Sequence, residues 1–166
     1  MIDLVVNVTE NWGIGQENSL LVTISADLKR FRQLTTGKTV VLGRKTLQTF
    51  PGGKPLKNRR NLVLSGNPSL YIDGAEVVHS IADLHEAVKK EKAVSVIGGA
   101  SIYELLLPYC EKAYVTKTFA TIPADRFFPN LDELPNWSVE SESEIMEENG
   151  IRFQYIDYVN SDPQWL

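Results

Sequence analysis

Two spacings of apolar residues alternate along most of this chain: short β-branched runs, and stretches in which apolar positions return every three or four residues. Residues 2–9 (Ile-Asp-Leu-Val-Val-Asn-Val-Thr) are such a run and predict a buried strand. A turn-rich stretch, 10–24, follows, broken by Gly13, Gly15 and Asn18. Ser25 then stands as an N-cap for a helix through about Thr35, ending before Gly37. Residues 39–42 predict a strand, Gly43 a turn, 44–50 a short helix, 51–55 a loop and 61–65 a strand. The pattern then repeats. Strand 75–79 leads into a helix to about Lys90, opened by the capping-box-like Ser80-Ile81-Ala82-Asp83. Strand 93–97, a Gly98-Gly99 turn, helix 100–107 stopped by Pro108, and strand 112–119 complete this half.

Strands alternating with helices imply parallel pairing through right-handed crossovers. After residue 119 the helical spacing stops. Segments 137–143 and 151–159 read as two strands joined by an acidic loop, a pair that has to lie antiparallel. The expected architecture is therefore a single α/β domain over residues 1–166, with a mixed, mainly parallel sheet and a C-terminal antiparallel hairpin.

Composition narrows the function classes. Hydrophobic and charged contents of 43% and 23% are ordinary for a globular protein, and 166 residues can bury a substantial core. No run approaches the length of a membrane span, and no basic segment precedes an apolar one at the N-terminus, so a cytoplasmic location is expected. Cys110 is the single cysteine, which precludes an intramolecular disulfide. His79 and His85 share no ligand spacing with each other or with Cys110, so no metal site is expected. The net charge of −4 argues against nucleic acid or membrane surfaces as partners. That charge is unevenly placed. Residues 28–72 contain no Asp or Glu and hold ten of the seventeen Lys and Arg.

Asp27 stands at the edge of this basic span. Leu28, Phe31 and Leu34 follow it at helical spacing, which sets Asp27 beside an apolar stripe rather than on a solvated face. A carboxylate partly withdrawn from water requires a cationic or N–H-rich partner. Three further stretches could meet anions. In Val40-Val41-Leu42-Gly43-Arg44-Lys45-Thr46, a strand passes through glycine into a helix whose first turn holds two cations. Cations there oppose the helix dipole, and a bound phosphate would account for them. In Val96-Ile97-Gly98-Gly99-Ala100-Ser101-Ile102-Tyr103, two glycines permit close approach of backbone to a ligand, or simply make a tight turn. This run lacks the Gly-x-Gly-x-x-Gly dinucleotide fingerprint. In Lys54-Pro55-Leu56-Lys57-Asn58-Arg59-Arg60, four cations suit either carboxylate recognition or a solvated loop. Lys29 and Arg30 are read as solvated.

Taken together, these stretches resemble the dihydrofolate reductase family in its bacterial chromosomal form. The resemblance rests on Ile14-Gly15 with Glu17-Asn18, Ala26-Asp27-Leu28 with Phe31, and Gly43-Arg44-Lys45-Thr46. It continues through residues 56–61, Ile97-Gly98-Gly99 with Tyr103, Thr116, and Asp125 with Phe128-Pro129. It implies a mixed eight-stranded sheet flanked by about four helices, and reduction of 7,8-dihydrofolate to tetrahydrofolate with NADPH in one-carbon metabolism. It also implies antifolate inhibitors as ligands and a monomeric state. By resemblance Asp27 is the catalytic acid at the pterin. Val5, Asn7 (through its main chain), Leu20, Leu28, Phe31, Ile97 and Thr116 form the pterin and benzoyl pocket, and Arg59 grips the glutamate carboxylate. The cofactor contacts it implies are Asn7, Ile14, Gly15, Gly43, Arg44, Lys45, Thr46, Leu64 and Ser65. They continue along the second glycine turn through Gly98, Gly99, Ala100, Ser101, Ile102 and Tyr103, where the family has a cis Gly-Gly peptide.

The chain departs from the family at Leu21-Val22, where Pro-Trp is usual and the Trp helps to organise a water beside the pterin. Ser25 replaces a common Pro, and Arg126 replaces a small hydroxyl residue after Asp125. Two other readings share the cofactor turns: the pyrimidine reductase of riboflavin synthesis, and a non-catalytic NADPH- or folate-binding protein. Asp27 in its family context and Arg59 disfavour the first, and the retained acid together with both cofactor turns disfavours the second.

Overall fold

The computed structural model describes residues 1–16, 19–20 and 23–166; the side chains of 16, 19 and 20 are outside it. In chain order the elements are β1 (Ile2–Thr9), β2 (Gly13–Gln16), β3 (Ser19–Leu20), α1 (Ser25–Thr35), β4 (Thr39–Gly43) and α2 (Arg44–Gln48). There follow β5 (Arg60–Leu64), β6 (Glu76–Val78), α3 (Ile81–Val88), β7 (Val94–Gly98) and α4 (Ala100–Leu106). The last are β8 (Lys112–Thr118), β9 (Arg126–Phe127), β10 (Trp137–Glu142), β11 (Met146–Glu148) and β12 (Ile151–Asn160).

Eight strands run in the order β10-β12-β8-β1-β7-β4-β5-β6, and the short β11 also pairs with β12. Pairings from β8 across to β6 are all parallel, while β12 is antiparallel to β8, β10 and β11. The mixed sheet and C-terminal hairpin expected from the sequence are thus observed. Every residue of the central β7 is buried, as a parallel strand covered on both faces requires. At the edge, β10 buries only Trp137.

The two-residue period of a strand divides the core into two layers. From β4, β5 and β7, Val40, Leu42, Val63 and Ile97 face one cluster, which Phe31 and Phe50 help to cover. Their neighbours Val41, Leu62, Leu64, Val94 and Val96 face the larger cluster on the other side, with Leu4, Ile102 and Leu106. The Asp27 helix therefore packs on one face of the sheet and α4 on the other, and the cavity described below opens between them.

Several local expectations are corrected. Within 10–24, β2 and β3 pair with each other, and β2 also pairs with β9, a strand the sequence pattern does not reveal because it has two residues. Ser25 is not an N-cap. Ile24 holds that position, and the free backbone N–H groups of Ser25 and Ala26 donate to the Glu148 carboxylate at 2.7 and 3.2 Å. The helix 81–88 is opened as expected, with Asp83 N–H donating to Ser80 Oγ. Arg30 is not simply solvated. It pairs with Asp157 at 3.0 Å and lies 4.0 Å over the Tyr155 ring, fastening α1 to β12. Arg60 is equally committed, to Glu76 and Glu91, and belongs to the scaffold.

Candidate active site

The C-terminal ends of β1, β4 and β7, with α1, α2 and α4, surround a cavity of about 710 Å³, within the range of small-molecule sites. Parallel strands place such a hollow naturally, since their C-terminal ends and the helix starts beyond them face the same side.

At one end Asp27 reaches from the first turn of α1 to the sheet. Its Oδ1 accepts a hydrogen bond from Thr116 Oγ1 at 2.5 Å, and its Oδ2 accepts one from Asn7 Nδ2 at 2.9 Å. Asn7 and Thr116 are register partners on β1 and β8. The apolar stripe after Asp27 serves the core only in part, through Phe31, which packs against the Val40 cluster. Leu28 is 48% exposed, and Leu28 and Phe31 line the cavity, so the stripe supplies a hydrophobic wall to whatever binds there. Val5 and Ile97 line it from the sheet. Tyr103 donates to the Val5 carbonyl at 2.6 Å, and burial, reinforced by the Asp27 charge, pushes its phenol far above the ordinary range. It is a fixed donor there rather than an acid.

At the other end, β4 passes through Gly43 into α2. A Cβ at Gly43 would lie 3.0 Å from Ile102 Cγ1, so any side chain there would press the Ile102 side chain aside. Arg44, Lys45 and Thr46 line the cavity from α2. The two cations are exposed and, among the described residues, have no carboxylate partner. The Gly98-Gly99 peptide is cis, and Gly98 has φ +131°. A Cβ on Gly98 or Gly99 would come within 3.3 or 3.1 Å of Thr46 Oγ1. The bare backbone of this turn, with Ala100, Ser101 and Ile102, forms a cradle beside two unpaired cations, which is what an anionic dinucleotide requires. A second recess of about 350 Å³ shares Leu64, Ser101 and Ile102 with the first and adds Ser65 and His79.

The structure thus brings together Val5, Asn7, Ile14, Gly15, Asp27, Leu28, Phe31 and Ile97 with the residues of both glycine turns. Thr116 stands behind Asp27, and Ser65 belongs to the smaller recess. Arg59 lines neither hollow. It bonds Thr35 Oγ1 and the Lys57 carbonyl, and burial followed by the nearby Arg32 lowers its pKa. The Leu20 side chain, Leu21 and Val22 lie outside the described residues. Sequence reasoning missed Thr49, Phe50, Glu104 and Arg126, which also line the cavity. Arg126 had a signal in its departure from the resemblance; Phe50 had none beyond an apolar residue at a helix end. Asn7 was expected to act through its main chain, and its side-chain contact with Asp27 was not foreseen. Among the described residues no cluster of His, Cys, Asp and Glu could hold a metal ion, and no helix is long and apolar enough to cross a membrane.

Comparison with known proteins agrees with this geometry. The family description "Dihydrofolate reductase" matches residues 1–160. The chain is 33% identical over 160 residues to the dihydrofolate reductase of Bacillus subtilis, covering 95% of this chain and 94% of that one. It is 36% identical over 141 residues to that of Staphylococcus haemolyticus, covering 84% of each. A solved dihydrofolate reductase from Enterococcus faecalis, complexed with NADP(H) and RAB-propyl, superposes with a TM-score of 0.88 at 30% identity. The match covers 98% of this chain and 97% of that one. By fold and by sequence, this chain belongs to the dihydrofolate reductase family.

Proposed function

We propose that this protein reduces 7,8-dihydrofolate to 5,6,7,8-tetrahydrofolate with NADPH, as a cytoplasmic monomer. The observation that carries the reading is the Asp27 carboxylate, held at the cavity wall by Thr116 and Asn7 beside an apolar surface. An ionised carboxylate in that setting accepts paired N–H groups, which a pterin offers at its 2-amino group and adjacent ring nitrogen. Leu28, Phe31, Val5 and Ile97 flank the ring and exclude water, which strengthens the polar contact. The fixed negative charge of Asp27 favours the arrival of a proton at pterin N5.

NADPH, when bound, supplies the hydride for C6 of the pterin. For its binding, Arg44, Lys45 and Thr46 offer cations and a hydroxyl to phosphate, and Ser65 lies in the adjoining recess. The backbone of the Gly98-Gly99 turn lies against the cavity, where its lack of side chains admits a flat ring. Arg59, fixed by Thr35 and the Lys57 carbonyl, is assigned to the glutamate carboxylate of the substrate.

The direct test follows NADPH oxidation with dihydrofolate at 340 nm for wild type and Asp27→Asn. The wild type turns over. The variant loses on the order of 100-fold or more at neutral pH, and part of the loss returns at low pH as the substrate itself protonates. Equal rates for the two proteins would remove Asp27 from the reaction.

A further inference from the structure

We infer that Asn7 is a positioning residue for Asp27, acting through its side-chain amide. The inference rests on the proposed role of Asp27. Asn7 lies on β1 between two partners that differ in kind: its Nδ2 donates to Asp27 Oδ2 at 2.9 Å, and its Oδ1 accepts from Thr118 Oγ1 at 2.9 Å. The two ends of an amide look alike in shape but not in chemistry. Turned round, it would set a carbonyl oxygen against a carboxylate oxygen, so the charge on Asp27 fixes which end faces it. Thr118 is completely buried, and its hydroxyl holds the opposite end in place.

The consequence falls on the carboxylate. Asp27 projects from a helix, while its two anchors come from neighbouring strands, Thr116 from β8 to Oδ1 and Asn7 from β1 to Oδ2. One bond would leave the carboxylate free to turn about its Cβ–Cγ axis; one bond on each oxygen does not. Each oxygen retains further acceptor capacity, so the pair can still receive two parallel N–H groups from a ligand. Asn7 thereby helps to keep Asp27 an acceptor of fixed orientation when a cationic ring arrives. Its side chain acts on the ligand through Asp27.

The experiment is a double-mutant cycle of Asn7→Ala with Asp27→Asn. It is read by the affinity of a 2,4-diaminopyrimidine antifolate for the protein alone and by kcat/KM for dihydrofolate. Asn7→Ala weakens both by about 10- to 100-fold, the range of one hydrogen bond to a charged group. Its effect shrinks to near nothing in the Asp27→Asn background. The ultraviolet band of the protonated diaminopyrimidine ring on the bound ligand weakens at the same pH. The isosteric Asn7→Asp, which keeps the volume but exchanges donor for acceptor, loses at least as much. Thr118→Val, which frees the far end of the amide, loses less in the same direction. An Asn7→Ala effect below twofold on both readouts overturns the inference, as does the same loss with Asp27 already replaced, or a wild-type-like Asn7→Asp. If the wild type fails to turn over dihydrofolate, the proposed reaction falls, and the diaminopyrimidine cycle still decides the role of Asn7.

Discussion

At the Asp27 end of the cavity, the polar side chains hold one another. Thr118 donates to Asn7, Asn7 donates to one oxygen of the carboxylate and Thr116 to the other, and Tyr103 is tied to a backbone carbonyl. At the α2–α4 end, Arg44 and Lys45 stand exposed without a carboxylate partner among the described residues, over a backbone stripped of side chains at Gly98 and Gly99. The first end is organised before anything binds. The second is a set of donors whose acceptor has to arrive with the ligand. The contrast follows from exposure. A half-buried carboxylate without donors would be costly, whereas exposed cations stay hydrated until an anion replaces the water.

The contrast can be broken at the open end first. Gly99→Val fills the cradle against Thr46 Oγ1. We expect NADPH affinity to fall on the order of 100-fold, as for a misfit of a few kcal/mol, while diaminopyrimidine affinity in the absence of cofactor changes little. Fluorescence titration with each ligand separates the two. Next, Arg44→Ala should weaken NADPH about tenfold, the effect of one charge-assisted contact, with a loss that shrinks as salt rises. Repeating the titration at low and high ionic strength checks this, and a salt-independent loss would mean that Arg44 shapes the fold instead.

A smaller effect is expected from Glu148→Ala at the start of the Asp27 helix. Losing a remote cap costs about 1 kcal/mol, typical of helix N-terminal capping. It lowers Tm by a few degrees and speeds amide exchange at Ser25 and Ala26. The smallest effect uses a carboxylate outside the cavity as a reference. Asp3, on β1, has Oδ1 bonded to Ser95 at 2.6 Å, Lys38 at 3.9 Å and a buried Oδ2 without a hydrogen bond. Burial raises its pKa above the model-peptide value of 3.8, outweighing Ser95 and Lys38. The folded state therefore holds this proton more tightly than the unfolded chain. Its contribution to stability is greatest at low pH, declines as pH rises above 3.8 through the folded-state value, and then levels. Comparing wild type with Asp3→Asn by thermal unfolding from pH 4 to 8 should show the variant gaining relative stability across that window, and a flat difference would remove Asp3 as the cause.

What could be read in the sequence follows the range of each interaction. The strands β1, β4, β5, β7 and β8 were legible because a buried parallel strand reads as a short run of mostly apolar and β-branched residues between breakers. The start of α3 was legible because Ser80 and Asp83 are three residues apart. The start of α1 was misassigned because its cap, Glu148, is more than a hundred residues away and no local pattern announces it. The same limit hid Arg30's bond to Asp157 and Asn7's bond to Asp27. Most of the cavity lining was reached through resemblance rather than through spacing.

The distances along the chain also bear on how this protein is made. Asp27 leaves the ribosome early, whereas Thr116 follows 89 residues later and Glu148 later still. A nascent chain carries the acid long before it carries the strand that orients it and the carboxylate that seals its helix. Ligand binding at this end should therefore appear late in synthesis. Stalled chains of increasing length, assayed for diaminopyrimidine binding, should gain it only after β8 and the C-terminal hairpin have emerged.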